Sequence, residues 1–189
     1  EIESFSLNEL LDEIHSSYNF PLQNGVTLNW ELPPDPLMMK TDRRRIKLIV
    51  QHLLDNAIKF TDDGQVSVCA GPGERKDTIE LRVSDTGIGI PMEAMPVIFD
   101  KLVQWDSSET RSYGGVGLGL YVVKSFAELL RGRVEVDSRP GEGSTFTVTL
   151  PMDYHETIAI SPTGNGHHRG SRKVEDGEVM AGFSHSDVH

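Results

Sequence analysis

Apolar residues first recur at helical spacing at Leu7, Leu10, Leu11, Ile14 and Tyr18, behind a Ser6 and Glu9 capping box, which predicts an amphipathic helix over about residues 6–19. Alternation at Val26, Leu28, Trp30 and Leu32 predicts a half-buried strand, stopped by Pro33-Pro34-Asp35-Pro36 because proline fixes φ and removes a donor. After Asp42, an N-cap candidate, Ile46, Ile49, Val50, Leu53, Leu54, Ala57 and Ile58 trace one face of a long helix reaching about Phe60. Strand patterns at 65–70 and 78–84 flank Gly71-Pro72-Gly73 and predict a hairpin. Residues 91–116 carry little periodicity beyond a short helix expected over 92–99. From Leu118, the positions Leu120, Val122, Val123, Phe126, Ala127, Leu129 and Leu130 predict a third long helix. Strands at 133–137 and 144–150 follow, around Pro140-Gly141-Glu142-Gly143.

Five strands and three main helices, in this order, predict an α/β protein: a two-layer α/β sandwich with the helices on one face of a mixed sheet. The periodicity stops near Tyr154, where the composition turns to Gly, Ser, His and charge, too poor in apolar residues to offset the entropy of ordering. The expected organisation is a domain over 1–152 and a disordered tail over 153–189. The tail histidines His155, His167, His168, His185 and His189 have no recognised metal-ligand spacing, so a solvated tail is the expectation.

Composition narrows the classes. A chain of 189 residues suffices for one substantial core. No apolar run approaches the roughly 18 residues of a membrane span, and Glu1-Ile2-Glu3-Ser4-Phe5 lacks a signal-peptide pattern, so no membrane insertion is expected of this segment. The single cysteine, Cys69, can form neither an internal disulfide nor a cysteine cluster. A formal net charge of −11 argues against wrapping a nucleic-acid backbone, though not against one bound nucleotide.

Four motifs carry candidate chemistry. In Gln51 to Thr61, helical spacing places His52, Asn56 and Lys59 on one stripe, with Asp55 partly alongside and the leucines inward. An asparagine there can offer a carbonyl oxygen to Mg²⁺; taken alone, it is only a polar residue on an exposed helix face. Asp85-Thr86-Gly87-Ile88-Gly89-Ile90-Pro91 follows a predicted strand, where glycines permit close approach of a planar ligand and the carboxylate can accept a hydrogen bond from a base amine. Gly114-Gly115-Val116-Gly117-Leu118-Gly119-Leu120 enters a helix, whose free N–H groups can meet phosphate. It matches neither a Walker loop nor the dinucleotide fingerprint. Gly141-Glu142-Gly143-Ser144-Thr145-Phe146 turns into the last strand.

Together these motifs resemble the ATPase domains of histidine kinases, in the superfamily shared with DNA gyrase, Hsp90 chaperones and MutL proteins. The resemblance spans about residues 1–151. Its asparagine box is similar to Leu53–Thr61, its glycine boxes to Asp85–Ile90 and Gly114–Leu120, and the phenylalanine box of histidine kinases to Ile98-Phe99-Asp100-Lys101-Leu102. It implies a Bergerat-type ATP-binding fold and a catalytic domain that holds Mg-ATP. It further implies that Asn56 binds Mg²⁺, Lys59 contacts phosphate, Asp85 reads the adenine amine and Gly87 and Gly89 shape the base pocket. Gly115, Gly117, Leu118 and Gly119 would border the phosphates, with Thr145 near the adenine and residues 91–116 as an ATP lid. Lys101 and Arg111 are lid candidates for the γ-phosphate, and plain surface charge is an equal reading for each.

Superfamily members that hydrolyse ATP place a glutamate where this chain has His52, which implies weak hydrolysis here. None of the seven histidines stands in the family's phosphoacceptor context. The resemblance therefore implies an acceptor histidine on a dimerisation domain outside this sequence, and a response regulator receiver domain downstream in the relay. The expected parent is a homodimer, cytoplasmic in this segment and open to membrane anchoring elsewhere. Competing readings are a serine kinase of the anti-sigma type, which the phenylalanine box and long lid disfavour, and a regulatory nucleotide-binding module without phosphotransfer.

Overall fold

Asp42 starts the element around which the other layers are arranged. Its carboxylate accepts the Arg45 amide at 3.1 Å and caps helix α2, Arg43–Lys59, whose buried face is the expected set from Ile46 to Ile58. The structure, a computed structural model, describes residues 1–17, 25–101 and 118–154. The sequence-predicted helix end at Tyr18 and residue 19, lid residues 102–116 and the tail from residue 155 lie outside the described residues.

Ahead of α2, helix α1 (Leu7–Ser17) begins at Ser6, whose hydroxyl accepts the Glu9 amide at 3.3 Å. Leu7, Leu10, Leu11 and Ile14 are fully buried. Glu13 ties α1 to α2 by accepting from Arg43 and, at 2.7 Å, from Lys47.

The five predicted strands are β2 (Val26–Glu31), β4 (Gly64–Pro72), β5 (Thr78–Asp85), β6 (Arg133–Arg139) and β7 (Gly143–Pro151). They form one mixed sheet in the order β2-β4-β5-β7-β6, with β2 and β4 parallel and the other neighbours antiparallel. The pairing sets Val68 opposite Val83 and Val83 opposite Phe146. Val66, Val68, Ile79, Leu81, Val83, Phe146, Val148 and Leu150 thereby share one buried face, packed with α2 in a single core. Helix α3 (Gly119–Leu129) packs along α2 and buries Val123 and Ala127. It ends in a Schellman motif: Gly132 N–H donates to Ala127 at 2.8 Å, with Arg131 at φ 63°. The two-layer α/β sandwich is as expected.

Three features differ from the sequence reading. Two further strands, β1 (Glu3–Ser6) and β3 (Met38–Thr41), pair antiparallel, and Lys40 of β3 also bonds Met152 and Tyr154 beyond β7. Each has four residues, too few for alternation to register as a period. Gly71 and Pro72 belong to β4, and the turn lies at 73–77, closed by Gly73 N–H to the Thr78 carbonyl at 2.9 Å. Pro72 is tolerated because it ends its strand. The helix expected over 92–99 is instead a series of turns, with bonds from Ala94 to Pro91, Val97 to Ala94 and Asp100 to Val97. Pro96 removes the donor that a continuous helix needs there. Phe99 from this segment meets Phe146 edge to face, ring centroids 6.3 Å apart. Among the described residues no helix is long and apolar enough to cross a membrane.

Candidate functional site

Asp85 ends β5, on the strand face that carries Val83 and Leu81 into the core. Its Oδ1 accepts two backbone amides, Gly87 at 2.9 Å and Ser144 at 3.2 Å. Burial pushes the carboxyl up to about 6, and the two amide bonds oppose that rise without cancelling it. Oδ2 takes no hydrogen bond from a described residue, so this costly carboxylate keeps an acceptor for something else.

The loop after Asp85 is fastened on both sides. On one, Ile88 N–H donates to the Phe60 carbonyl at 3.1 Å, and a Cβ on Gly87 would overlap that same oxygen. On the other, Ile90 N–H donates to Ser138 Oγ at 2.8 Å and Gly141 N–H to the Ile88 carbonyl at 2.8 Å. Gly89, at φ 68°, lies against the Arg139 carbonyl where no side chain fits. Both glycines are thus required by backbone packing between the end of α2 and the β6–β7 turn.

A second group lies where α2 meets the start of α3. His52 and Asn56 are half-buried, and a Cβ placed on Gly119 would sit 3.6 Å from Asn56 Nδ2 and 3.7 Å from His52 Nδ1. The first N–H groups of α3, from Gly119 onward, lack intrahelical partners and give this end a partial positive charge. Leu118 precedes it with no side-chain cap bond, its carbonyl accepting the Val122 amide at 2.9 Å. Burial lowers the Lys59 ammonium from its ordinary value, and its Nζ rests 4.8 Å above the Phe60 ring. Among the described residues no three His, Cys, Asp or Glu side chains gather to hold a metal. A hard cation here fits the Asn56 carbonyl oxygen together with ligand oxygens, the arrangement Mg²⁺ accepts.

The remaining predicted residues divide differently. Thr145 lines the same cleft as Asp85, but it pairs with Ser84, and its hydroxyl donates to Ser84 Oγ at 2.9 Å on the opposite sheet face. A two-residue side-chain period makes this unavoidable, and it puts Ser144 on Asp85's face instead. That parity was readable, because Ser144 shares the even numbering of buried Phe146, Val148 and Leu150. Ser138 and the Phe60 carbonyl were also missed, since their roles depend on tertiary contacts. Lys101 is exposed at the limit of the described residues, and Arg111, Gly115 and Gly117 lie outside them. A cleft of about 260 Å³ opens at this strand end, lined by Asp85, Ser144, Thr145 and Arg139 among others.

Residues 41–154 match the family described as histidine kinase-, DNA gyrase B- and HSP90-like ATPase. The chain belongs to that family. This ATPase domain is 36% identical over 156 residues to hybrid signal transduction histidine kinase L of Dictyostelium discoideum, covering 79% of the chain and 9% of that protein. It is 40% identical over 144 residues to the autoinducer 2 sensor kinase/phosphatase LuxQ of Vibrio parahaemolyticus, covering 74% of the chain and 16% of LuxQ. Against sensor histidine kinase RcsC of Escherichia coli the identity is 35% over 155 residues, 80% of the chain and 16% of RcsC. The domain thus spans less than a fifth of these relatives. Among solved structures, full-length ShkA in complex with AMPPNP superposes with a TM-score of 0.70 at 26% identity, over 82% of this chain and 32% of that one. The catalytic domain of histidine kinase ThkA gives 0.67 at 22% identity, over 82% and 99%, a likeness of fold. ATP binding by an ATPase domain of the histidine kinase type follows from the family match and these likenesses.

Proposed function

We propose that this domain is the phosphate-donor half of a sensor histidine kinase, holding Mg-ATP and passing its γ-phosphoryl group to a histidine on a dimerisation domain outside residues 1–189. The observation that carries the reading is Asp85: a mostly buried carboxylate held by two backbone amides through one oxygen, with the other left to accept an adenine amine. Ser144 is its neighbour at the base, with Thr145 lining the same cleft near the adenine. Gly87 and Gly89 set the loop beneath the base by their backbone approach.

The phosphates would run from there toward Gly119, between the α3 N-terminus and the stripe of His52, Asn56 and Lys59. Gly115, Gly117 and Leu118 would border them, and Lys101 and Arg111 on a lid over residues 91–116 would reach the γ-phosphate. Phosphoryl transfer asks the protein chiefly for alignment and charge neutralisation. The helix terminus and Lys59 supply positive potential, and Asn56 supplies a neutral oxygen ligand. A magnesium ion, when bound, would offset negative charge on the β- and γ-phosphates. His52 lacks the carboxylate that would activate water, which favours transfer over hydrolysis.

The domain would occupy residues 1–152, within a cytoplasmic part of a homodimeric parent, with a receiver domain accepting the phosphoryl group afterwards. The test mixes the 189-residue chain with γ-labelled ATP and the separately made dimerisation domain of its parent protein. Label on that partner that is acid-labile and base-stable is expected. Acid-stable label identifies a serine kinase, and tight ATP binding without transfer identifies a regulatory module; either result overturns the proposal.

A further inference from the structure

Ser138 lies on β6 directly opposite Ser144, at the same sheet end as Asp85. Its hydroxyl has three partners: the Ile90 amide at 2.8 Å, the Gly143 carbonyl at 2.9 Å and Ser144 Oγ at 3.0 Å. A hydroxyl carries one proton and two acceptor lone pairs. The Ile90 N–H can only donate and the Gly143 carbonyl can only accept, so the Ser138 proton is committed to Gly143. The third contact must then be Ser144 O–H donating to Ser138, which saturates Ser138.

Ser144 is left with its proton turned away, and its oxygen lone pairs take no hydrogen bond from the described residues. Its backbone amide meanwhile fixes Asp85 Oδ1. Among the described residues, the same sheet face therefore presents two acceptors, Asp85 Oδ2 and Ser144 Oγ, and no competing hydroxyl donor. That pair suits an exocyclic amine, directly or through one water, and repels a carbonyl at the same ring position. Ser138 also anchors the loop holding Gly87 and Gly89 through Ile90, so one hydroxyl governs both the proton orientation and the loop position.

We propose that Ser138 is a positioning residue for base selection, which makes the site prefer a 6-amino purine over a 6-oxo purine without itself touching the nucleotide. This rests on the reading that Asp85 faces the base. A merely structural serine would affect all purine nucleotides alike, whereas a residue that sets proton direction changes the ratio between them.

The experiment measures ATP and ITP affinities of the 189-residue chain by calorimetry with Mg²⁺, for wild type, Ser138→Ala, Ser138→Cys and Ser138→Thr, with thermal unfolding alongside. Expected are a wild-type preference for ATP, a fall in the ATP-to-ITP affinity ratio of about fivefold or more in the alanine variant, and recovery with threonine, which keeps the hydroxyl. Should the alanine variant not fold, the near-isosteric cysteine, a poor hydrogen-bonding group, decides. An unchanged ratio, or equal weakening of both nucleotides, overturns the Ser138 proposal. Failure of the wild type to bind ATP more tightly than ITP instead overturns the assignment of Asp85 to the base.

Discussion

Asp85 and Ser144 stand directly opposite each other across β5 and β7, and the Ser144 amide donates to Asp85 Oδ1 at 3.2 Å. This bond and the Gly87 amide fix the carboxylate plane from one side only. Replacing Oδ2 by an amide nitrogen keeps Oδ1 and both of its bonds but turns the free acceptor into a donor. Asp85→Asn should therefore weaken ATP binding about 10- to 100-fold, the range for leaving a polar group mismatched, and weaken ITP much less. Its melting temperature should match or exceed wild type, because a buried charge is removed. Calorimetry with both nucleotides, plus a melt, checks this; equal affinities of wild type and variant for ATP would remove Asp85 from the base site.

The pH dependence follows from the same carboxyl. Its ordinary value of 3.8 rises to about 6 in the fold, chiefly through burial. Between those values the folded chain binds more protons than the unfolded one, so this group's contribution to stability falls as pH rises through about 6. At pH 7.5 the charged form costs on the order of 3 kcal/mol, and at pH below 3.8 that cost is gone. Urea titrations of wild type and Asp85→Asn should show the variant more stable at pH 7.5, with the gap down to about a third by pH 4.5 and closing only below pH 3.8. If Asp85 reads the adenine amine as proposed, ATP affinity runs the other way: a proton on Oδ2, the oxygen without backbone amides, turns that acceptor into a donor, so binding should fall as pH drops below about 6. A gap in stability independent of pH would show that Asp85 does not titrate in this range.

Long periods were legible in the sequence and short couplings were not. The α2 face from Ile46 to Ile58 repeats over several turns, so both its extent and its Asp42 cap could be read. Strands β1 and β3 exist because Phe5 and Met39 are buried in an antiparallel pair, a tertiary gain that four residues cannot announce. At the site, Asp85, Gly87 and Gly89 form a turn that is common taken alone, and they stood out because they follow the Asn56 helix and precede the Gly114–Leu120 loop in the family's order. Ser144 was passed over for Thr145, although strand parity from Phe146 and Val148 pointed to it. Ser138 could not be found in that way, since its role appears only when β6, β7 and the loop at Ile90 are brought together.

Two glycines should respond oppositely to one methyl group. Gly143 has φ 98°, and a Cβ there would overlap the Asp85 carbonyl oxygen, backbone against backbone. Gly143→Ala should cost about 2–4 kcal/mol, combining left-handed strain with overpacking. Among the described residues, the atoms nearest a Cβ on Gly119 belong to the side chains of Asn56 and His52, at ordinary contact distances of 3.6 Å and 3.7 Å. Gly119→Ala should leave the melting temperature within a few degrees of wild type while reducing ATP affinity, because the methyl group occupies space facing the proposed phosphate path. Differential scanning fluorimetry with and without ATP separates the two effects, and a Gly119→Ala variant that melts early would make that glycine structural.

Asn56 supplies the last test, because it separates metal from nucleotide. Its neighbours on the helix stripe are His52 and Lys59, and no carboxylate cluster exists among the described residues to replace its oxygen. If it is the protein's ligand to magnesium, Asn56→Ala should lose at least the roughly 10- to 100-fold seen when a ligand's own support is removed, in Mg²⁺ buffer only. In EDTA the variant and wild type should bind ATP equally, since the substitution leaves the proposed base contact at Asp85 untouched. Asn56→Asp keeps an oxygen at the same place and should retain magnesium dependence. Titrations in Mg²⁺ and in EDTA give four affinities for each variant pair, and a loss of equal size in both buffers would assign Asn56 to direct nucleotide contact rather than to the metal.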